Sequence, residues 1–391
     1  MVTMKSSLLS CCALSALCFA TAACGSSDEG TTPGATLDFG AFEREVQAFV
    51  DETDGVDGAG VIVVHRDKGV VYRHAFGAFA EDRVYLVASA SKIVTVGIMM
   101  KLVDDGLVDI EKPISDYVTW AGPNGGLKLR QFFSNSSGLP GLLGGADGAV
   151  YLTNYLCQFT PTGTLRECAE QVLTTNVGAD AIPPDTEFRY GGAQWQAAGG
   201  VLEAIAGKPW RDLVRETFLE PCGLTQTGYT HPTWAQDLSY PADFQGRMED
   251  AAASDNPSME AGLFTNLDDY AKILSIHLNG GVCGWGGGAK RVLSTAAVDA
   301  MRVDRVAAYE QRAWLGFPGA ETLEGYGMGW WIDRAHPGIF VDEGAWGATP
   351  WIDLNRGYAA FIAIENNFTN GDGARRRTQP LLEAAFDASH H

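Results

Sequence analysis

The sequence predicts an α/β (α+β) protein: one antiparallel sheet formed by both chain ends, flanked by helices, with an all-helical insertion at about 109–257. Three observations predict it. Two β-rich runs separated by a polar turn lie near the start, at 60–64 and 70–74, and read as a hairpin. Four more lie near the end, at 326–332, 338–342, 351–354 and 358–364, and read as strands of a hairpin-linked sheet. Between the two sets the chain carries apolar residues at helical spacing and loops rich in Gly and Pro. With 391 residues, 46% of them hydrophobic and 19% charged, the composition is that of a soluble globular chain able to bury a sizeable core.

Residues 1–23 read as a signal segment outside the fold: Lys5 supplies a positive start, an apolar run covers 8–20, and small residues lead to Cys24. That run is shorter than the roughly 18–20 apolar residues a transmembrane helix needs. Thr21, Ala22, Ala23 and Cys24 look like a lipoprotein signal, in which Cys24 becomes the acylated N-terminus. Thr21 stands where Leu is usual, so ordinary secretion with cleavage nearby is the alternative. Residues 24–37, rich in Gly, Ser, Thr and Pro, read as a flexible tether, leaving 38–391 as the folded domain. The expected location is outside the cytoplasm, on a membrane facing the periplasm or cell surface.

The folded part opens with a helix at 39–54, followed by the hairpin. A helix is predicted from near Ser89 to Gly106, another over 268–278, where Asp268 and Asp269 suit a helix start, and a last one at about 380–387. Arg375 to Arg377 read as a solvated basic face before that last helix. Four cysteines remain beyond Cys24: Cys157, Cys168, Cys222 and Cys283. In an exported protein an even number suggests disulfides, with three possible connectivities. Cys157 with Cys168 is the local choice, leaving Cys222 for Cys283. The formal charge of −20 argues against a nucleic-acid partner, whose phosphates need Lys and Arg to neutralise them.

Chemistry centres on Ser89 and Lys92. Three residues apart at a helix start, they share one face. A serine hydroxyl is a poor nucleophile without a base in reach, and a lysine serves as that base when burial lowers its pKa. The helix N-terminus adds N–H groups suited to an oxyanion. S-x-x-K alone is a weak signal, but Lys92 is the only lysine with serine three residues earlier, and it follows a strand-like apolar segment.

Further segments support the pair: VASASKIVTVGIMMKLVDDGLVDIEKPISDYV (87–118), LKLRQFFSNSSGLPG (127–141), PPDTEFRYGGAQWQAAGGVLEAIAGKPW (183–210), AGLFTNLDDYAKILSIHLNGG (261–281), YGMGWWID (326–333) and EGAWGATPWID (343–353). In this order and spacing the chain resembles the β-lactamase-like serine hydrolases, which include class C β-lactamases, D,D-peptidases and family VIII esterases. The resemblance runs from about residue 39 to the C-terminus and implies a β-lactamase/transpeptidase-like fold. It also implies that Ser89 is the acylated nucleophile, Lys92 its base, and Tyr190 of FRYGG a proton relay to the leaving group. The third motif falls at Asp342, Glu343 and Gly344, where Gly344 lets the strand approach the substrate closely. Ala345 would give the second oxyanion-hole N–H, opposite that of Ser89.

The departures from the family pattern bear on the substrate. Gly192 stands where lactamases and D,D-peptidases usually carry an Asn that binds the acyl amide. Asp342 and Glu343 replace the cation or hydroxyl that holds a substrate carboxylate, and two acids there would repel one. Trp195 and Trp346, near the second and third motifs, are candidates either for the wall of an apolar acyl pocket or for the core. Asn135, Ser136 and Ser137 resemble a family signature beside the site and read as structural. No G-x-S-x-G or H-E-x-x-H occurs, so an α/β-hydrolase elbow and a zinc peptidase are not expected. The expectation is a serine hydrolase needing no cofactor or metal, acting on a small or peptide-like acyl substrate, most simply an ester or amide. The alternatives are a D,D-carboxypeptidase or β-lactamase, and a lipoprotein that only binds.

Overall fold

The computed structural model describes residues 37–141, 155–234, 239–309, 311–313 and 325–389. The expected signal segment, the acylated Cys24 and the tether as far as residue 36 lie outside the described residues. Strands β1 (Gly58–His65) and β2 (Gly69–Gly77) form the N-terminal hairpin. Strands β3 (Val84–Leu86), β4 (Gly228–Tyr229) and β5 (Leu263–Asn266) build a small second sheet in the order β3-β5-β4. The C-terminal strands are β6 (Gly325–Tyr326), β7 (Trp331–Ile332), β8 (Ile339–Val341), β9 (Ala348–Asp353) and β10 (Tyr358–Ala363). The larger sheet runs β6-β7-β8-β9-β10-β1-β2, so the two chain ends meet at the antiparallel pairing of β10 with β1, Gly60 opposite Ala363 and His65 opposite Tyr358.

The middle of this sheet is buried on both faces, which explains why β1 and β10 read as continuous apolar runs rather than alternating ones. Successive side chains still point to opposite sides. Val61, Val63, Ala360 and Ile362 pack with Phe42, Val46 and Phe49 of α1 (Gly40–Glu52) and Leu382 and Phe386 of α7 (Phe368–Ala388). Ile62, Val64, Ala359 and Phe361 join the other core with Tyr270 and Leu274 of α6 (Leu267–Leu278) and the apolar residues of α2 (Lys92–Asp104). Ten of the 13 residues of α2 are buried, so this is a central helix with no solvent face to spare.

Between the two groups of strands lie α3 (Leu129–Phe133), α4 (Leu165–Thr174) and α5 (Gly192–Ala206), with further short helical turns. The all-helical expectation for this insertion needs correction. Glu187–Arg189 pairs in parallel with Gln311–Ala313, and β4 joins β5. Both short strands satisfy backbone groups of segments that run directly into buried side chains of the site, where unpaired N–H and C=O groups would be costly. Disulfides join Cys157 to Cys168 and Cys222 to Cys283.

The last helix also differs from expectation. It begins at Phe368, capped by Asn367, whose side chain accepts from the Asn370 N–H at 2.9 Å, and it continues through Pro380. A proline normally starts or breaks a helix, but the apolar stripe of Ala374, Leu382 and Phe386 against the sheet outweighs the lost N–H. Arg375 therefore lies inside the helix and is buried, not solvated. Its guanidinium is 2.7 Å from Asp372 and 3.4 Å from Glu343. Arg376 pairs with Asp372, and Arg377 with Glu45 and Glu52. No described helix is long and apolar enough to cross a membrane.

Removing one partner of a buried ion cluster leaves the others uncompensated. Arg375→Leu is expected to lower the unfolding free energy by about 3 kcal/mol, measured by chemical denaturation. A loss under about 0.5 kcal/mol, the size of a neutral surface change, would contradict the buried pairing.

Candidate active site

The segment from β3 into α2 makes a tight bend. Ala88–Ser91 form one turn of 3-10 helix, and Ala88 takes a left-handed backbone conformation, φ +46°. For a residue with a Cβ this costs about 1–2 kcal/mol. The strain is held in place by the Ala90 N–H bonded to Val87 O at 3.1 Å, by the Ser91 hydroxyl donating to Ala88 O at 2.6 Å, and by burial of Ala88 against Trp346. The bend leaves Ser89 partly exposed on the first turn of a helix whose next residues are sealed from solvent.

Lys92 is 0% exposed, and its Nζ donates to Ser89 Oγ at 2.9 Å and to the backbone carbonyl of Glu260 at 3.2 Å. Tyr190 follows the strand Glu187–Arg189. Its ring centroid lies 4.6 Å from Nζ and its phenol interacts with the Ser89 side chain. Serine, lysine and tyrosine, 101 positions apart at the extremes of sequence number (190 − 89), thus share one locus. Burial holds the Lys92 amine below the ordinary lysine range, while Glu260 and Asp342 pull it back up. Burial also drives the Tyr190 phenol well above its usual value, with Asp342 adding to the rise and Ser89 opposing it.

Gly344 sits in the turn between β8 and β9, closed by its N–H to Ala348 O at 2.8 Å and by the Gly347 N–H to Gly344 O at 2.9 Å. A Cβ at Gly344 would stand 2.3 Å from Val87 O. The close approach that requires glycine is therefore to the backbone of the bend that carries Ser89. The next residue, Ala345, packs against the cluster that holds Ala88 and Trp346. At the start of a helix the Ser89 N–H has no partner within that helix.

The two acids of the third motif do not face the cleft. Glu343 is buried against Arg375 and Asp372, its carboxyl pushed up to about 8 by burial against the pull of Arg375. Asp342 is 0% exposed, and burial raises its carboxyl far above the usual carboxylate range, opposed by Lys92. Repulsion of a substrate carboxylate by both side chains is thus corrected: Glu343 serves the α7 ion cluster, and Asp342 is sealed from solvent and acts on the charge of Lys92.

Trp195 and Trp346 are both buried. The Trp195 indole donates to Asn135 Oδ1 at 2.9 Å and its ring lies 5.3 Å from Lys92 Nζ, packing behind the lysine rather than lining a pocket. Trp346 packs within an aromatic group, tilted 4.8 Å from the Trp234 ring and edge-on 5.8 Å from that of Tyr240. Asn135 also accepts from Gln194 at 3.0 Å, and the Ser137 hydroxyl donates to Gln194 at 2.7 Å, so this segment anchors the start of α5 just beyond Tyr190, as a structural role requires. His277 is buried and neutral, pushed down to about 3 by burial, and receives the Trp330 indole N–H at 3.4 Å. Among the described residues no cluster of His, Cys, Asp and Glu could hold a metal ion.

One residue was missed by sequence reasoning. A Cβ at Gly192 would lie 1.8 Å from Glu260 Oε1 and 2.3 Å from its carboxyl carbon. The room left by the missing side chain at 192 is filled by the Glu260 carboxyl, whose Oε2 faces Lys92 Nζ across 3.6 Å. Gly192 was the available signal, since an empty position in a dry site must be filled from elsewhere.

A two-faced antiparallel sheet, a central helix opening on a serine–lysine pair, and a glycine turn pressed against it define a β-lactamase-fold hydrolase. The chain belongs to the beta-lactamase family, whose model matches residues 42–385 and whose members are serine hydrolases. It is 25% identical over 278 residues to penicillin-binding protein 4 of Amycolatopsis lactamdurans, covering 67% of this chain and 66% of that protein. It is 29% identical over 215 residues to the esterase/beta-lactamase LipL of Mycobacterium tuberculosis, covering 50% of this chain and 46% of that protein. The chain thus spans under two thirds of the first of these relatives and about half of the second. Among solved structures, EstCE1, a hydrolase with promiscuous acyltransferase activity, superposes with a TM-score of 0.67 at 20% identity, over 88% of this chain and 98% of that one.

Gly344→Ala places a methyl group against fixed backbone and is expected to lower stability by about 1–3 kcal/mol and to slow phosphonylation of Ser89 together. Denaturation and labelling indistinguishable from wild type would show that the turn does not need its close approach.

Proposed function

We propose that the chain is an exported serine hydrolase that forms an acyl-enzyme on Ser89, acting as an esterase or amidase on carbonyl substrates. The observation that carries this reading is the 2.9 Å contact between Ser89 Oγ and the amine of a fully buried Lys92. A dry lysine amine is the base a serine needs, and Tyr190 converges on the same hydroxyl.

In this mechanism the Ser89 Oγ–H proton passes to Lys92 Nζ as Oγ bonds to the substrate carbonyl carbon. The carbonyl electron pair moves onto oxygen, held between the N–H groups of Ser89 and Ala345. The bond to the leaving alcohol or amine then breaks, and the proton held by Lys92 reaches the leaving atom through Tyr190. Water attacks the acyl-enzyme by the same route in reverse: its proton goes to the Lys92–Tyr190 pair, the Oγ–carbon bond breaks, and Ser89 recovers its hydrogen. No other redox or group-transfer partner enters the balance. The expected signal segment supports export, with a lipid anchor on Cys24 tethering the domain to a membrane.

Two features favour esters and simple amides over carboxylate-bearing lactams or D-alanyl peptides. Gly192 offers no amide side chain to an acylamino group, and Asp342 stands where the resemblance implies a cation. A D,D-carboxypeptidase or β-lactamase is the second reading, favoured by the similarity to a penicillin-binding protein. A binding-only lipoprotein fits poorly, since a buried lysine held on a serine has no use in mere binding and is costly to maintain.

Ser89→Ala should abolish labelling by a fluorophosphonate probe, and persistent labelling would reject the nucleophile. Lys92→Ala should slow that labelling by about a thousandfold, whereas a near-normal rate would remove lysine from the mechanism. Turnover of short-chain nitrophenyl esters should exceed that of cephalosporins, and the reverse order would select the second reading.

A further inference from the structure

We infer that Glu260 is a positioning residue of this site: its carboxylate occupies the place left open by Gly192 and holds the charge that develops on Lys92 when Ser89 gives up its proton. The inference rests on the acyl-enzyme reading above. Glu260 meets Lys92 twice. Its backbone carbonyl accepts from Nζ at 3.2 Å, and its Oε2, which makes no hydrogen bond, lies 3.6 Å from the same nitrogen. That separation exceeds a hydrogen bond but is well within strong charge interaction in a dry site. An ammonium has three N–H directions, and Ser89 Oγ, Glu260 O and Glu260 Oε2 supply one oxygen for each.

The side chain is held by the two helices it serves. Thr95, three residues along α2 from Lys92, donates to Met259 O at 2.7 Å. Gln196, four residues along α5 from Gly192, donates to Asn256 and Pro257 at 2.8 Å and accepts from the Met259 N–H at 2.9 Å. Residues three or four apart share a helix face. The faces carrying Lys92 and Gly192 therefore fix the backbone bearing Glu260. On the other side, β5 continues into the small sheet, where the Leu263 N–H donates to Ser91 Oγ at 2.9 Å and the Val87 N–H to Leu263 O at 3.2 Å. Glu260 is 5% exposed.

Other groups around Lys92 do not replace it. Burial raises the carboxyls of both Asp342 and Glu260, and Lys92 opposes the rise at each, but among the described residues Glu260 is the acid that comes within 4 Å of Nζ. Glu343 is turned to Arg375, Tyr190 faces Ser89, and the Tyr229 hydroxyl of β4 is bonded to Thr95 at 2.8 Å and to Ser91 O at 3.1 Å. When the Ser89 proton reaches Nζ, a buried positive charge appears, and an anion in the third N–H direction offsets the desolvation that this charge would otherwise suffer. Glu260 neither gains nor loses a proton in the step.

The test measures the second-order rate of Ser89 phosphonylation by a fluorophosphonate against pH, for wild type and Glu260→Gln. Loss of the anion should let Lys92 stay deprotonated to lower pH, moving the acid limb down by about one pH unit. The plateau rate should fall about tenfold, since the ammonium forms without its counter-charge. A merely structural residue would lower the amplitude and leave the limb in place, and a limb coincident with wild type overturns the inference. If Glu260→Gln does not fold by circular dichroism, Gly192→Ala decides. Its methyl group displaces the carboxyl and should move the limb the same way, and an unmoved limb again overturns it. Wild type with no phosphonyl adduct on Ser89 would sink the acyl-enzyme reading itself, whereas a normal adduct with an unmoved limb sinks only the role of Glu260.

Discussion

The amine of Lys92 has no contact with solvent and lies 2.9 Å from a serine oxygen. Dehydrating a lysine nitrogen is unfavourable unless its hydrogens find acceptors, and here they come from two distant parts of the chain. Ser89 comes from the strained bend after β3, and Glu260 from the segment before β5. Aromatic faces of Tyr190 and Trp195, at 4.6 and 5.3 Å, close the remaining sides. The amine stays dry only because α2 is buried along its length between the sheet and the helical insertion.

The same need explains the glycines. Gly344 presses the β8–β9 turn onto Val87 O, closing the bend, and Gly192 gives its space to a carboxyl group. In both places a missing side chain permits contact between distant segments that any other residue would hold apart. The larger sheet supports this from below. Joining β1 to β10 ties the two chain ends together and leaves α2, α5 and the β8–β9 turn converging on one face.

The sheet strands and the Ser89–Lys92 pair carry local signatures in the sequence, whereas Tyr190 is pointed to only by the resemblance that the surrounding motifs carry. Apolar runs of strand length bounded by turns marked the strands, and three-residue spacing at a helix start marked Ser89 and Lys92. Partners chosen by tertiary packing were less legible. Glu260 lies in a segment without periodicity, and only the emptiness of Gly192 hinted at it. Arg375 looked like one of three surface arginines, because nothing local shows that α7 begins at Phe368 and turns that residue inward toward Glu343. The acids at 342 and 343 carry no local sign of which way their side chains turn. Their direction depends on the α7 ion cluster and on Lys92, which lie far away in sequence.

The most direct test is a crystal structure of the chain after reaction with a fluorophosphonate. Phosphorus should be bonded to Ser89 Oγ, with Lys92 Nζ within hydrogen-bond distance of that oxygen and the phosphoryl oxygen between the N–H groups of Ser89 and Ala345. Phosphorus on another residue, or a Lys92 amine swung out of contact with Ser89, would contradict the assignment at its root.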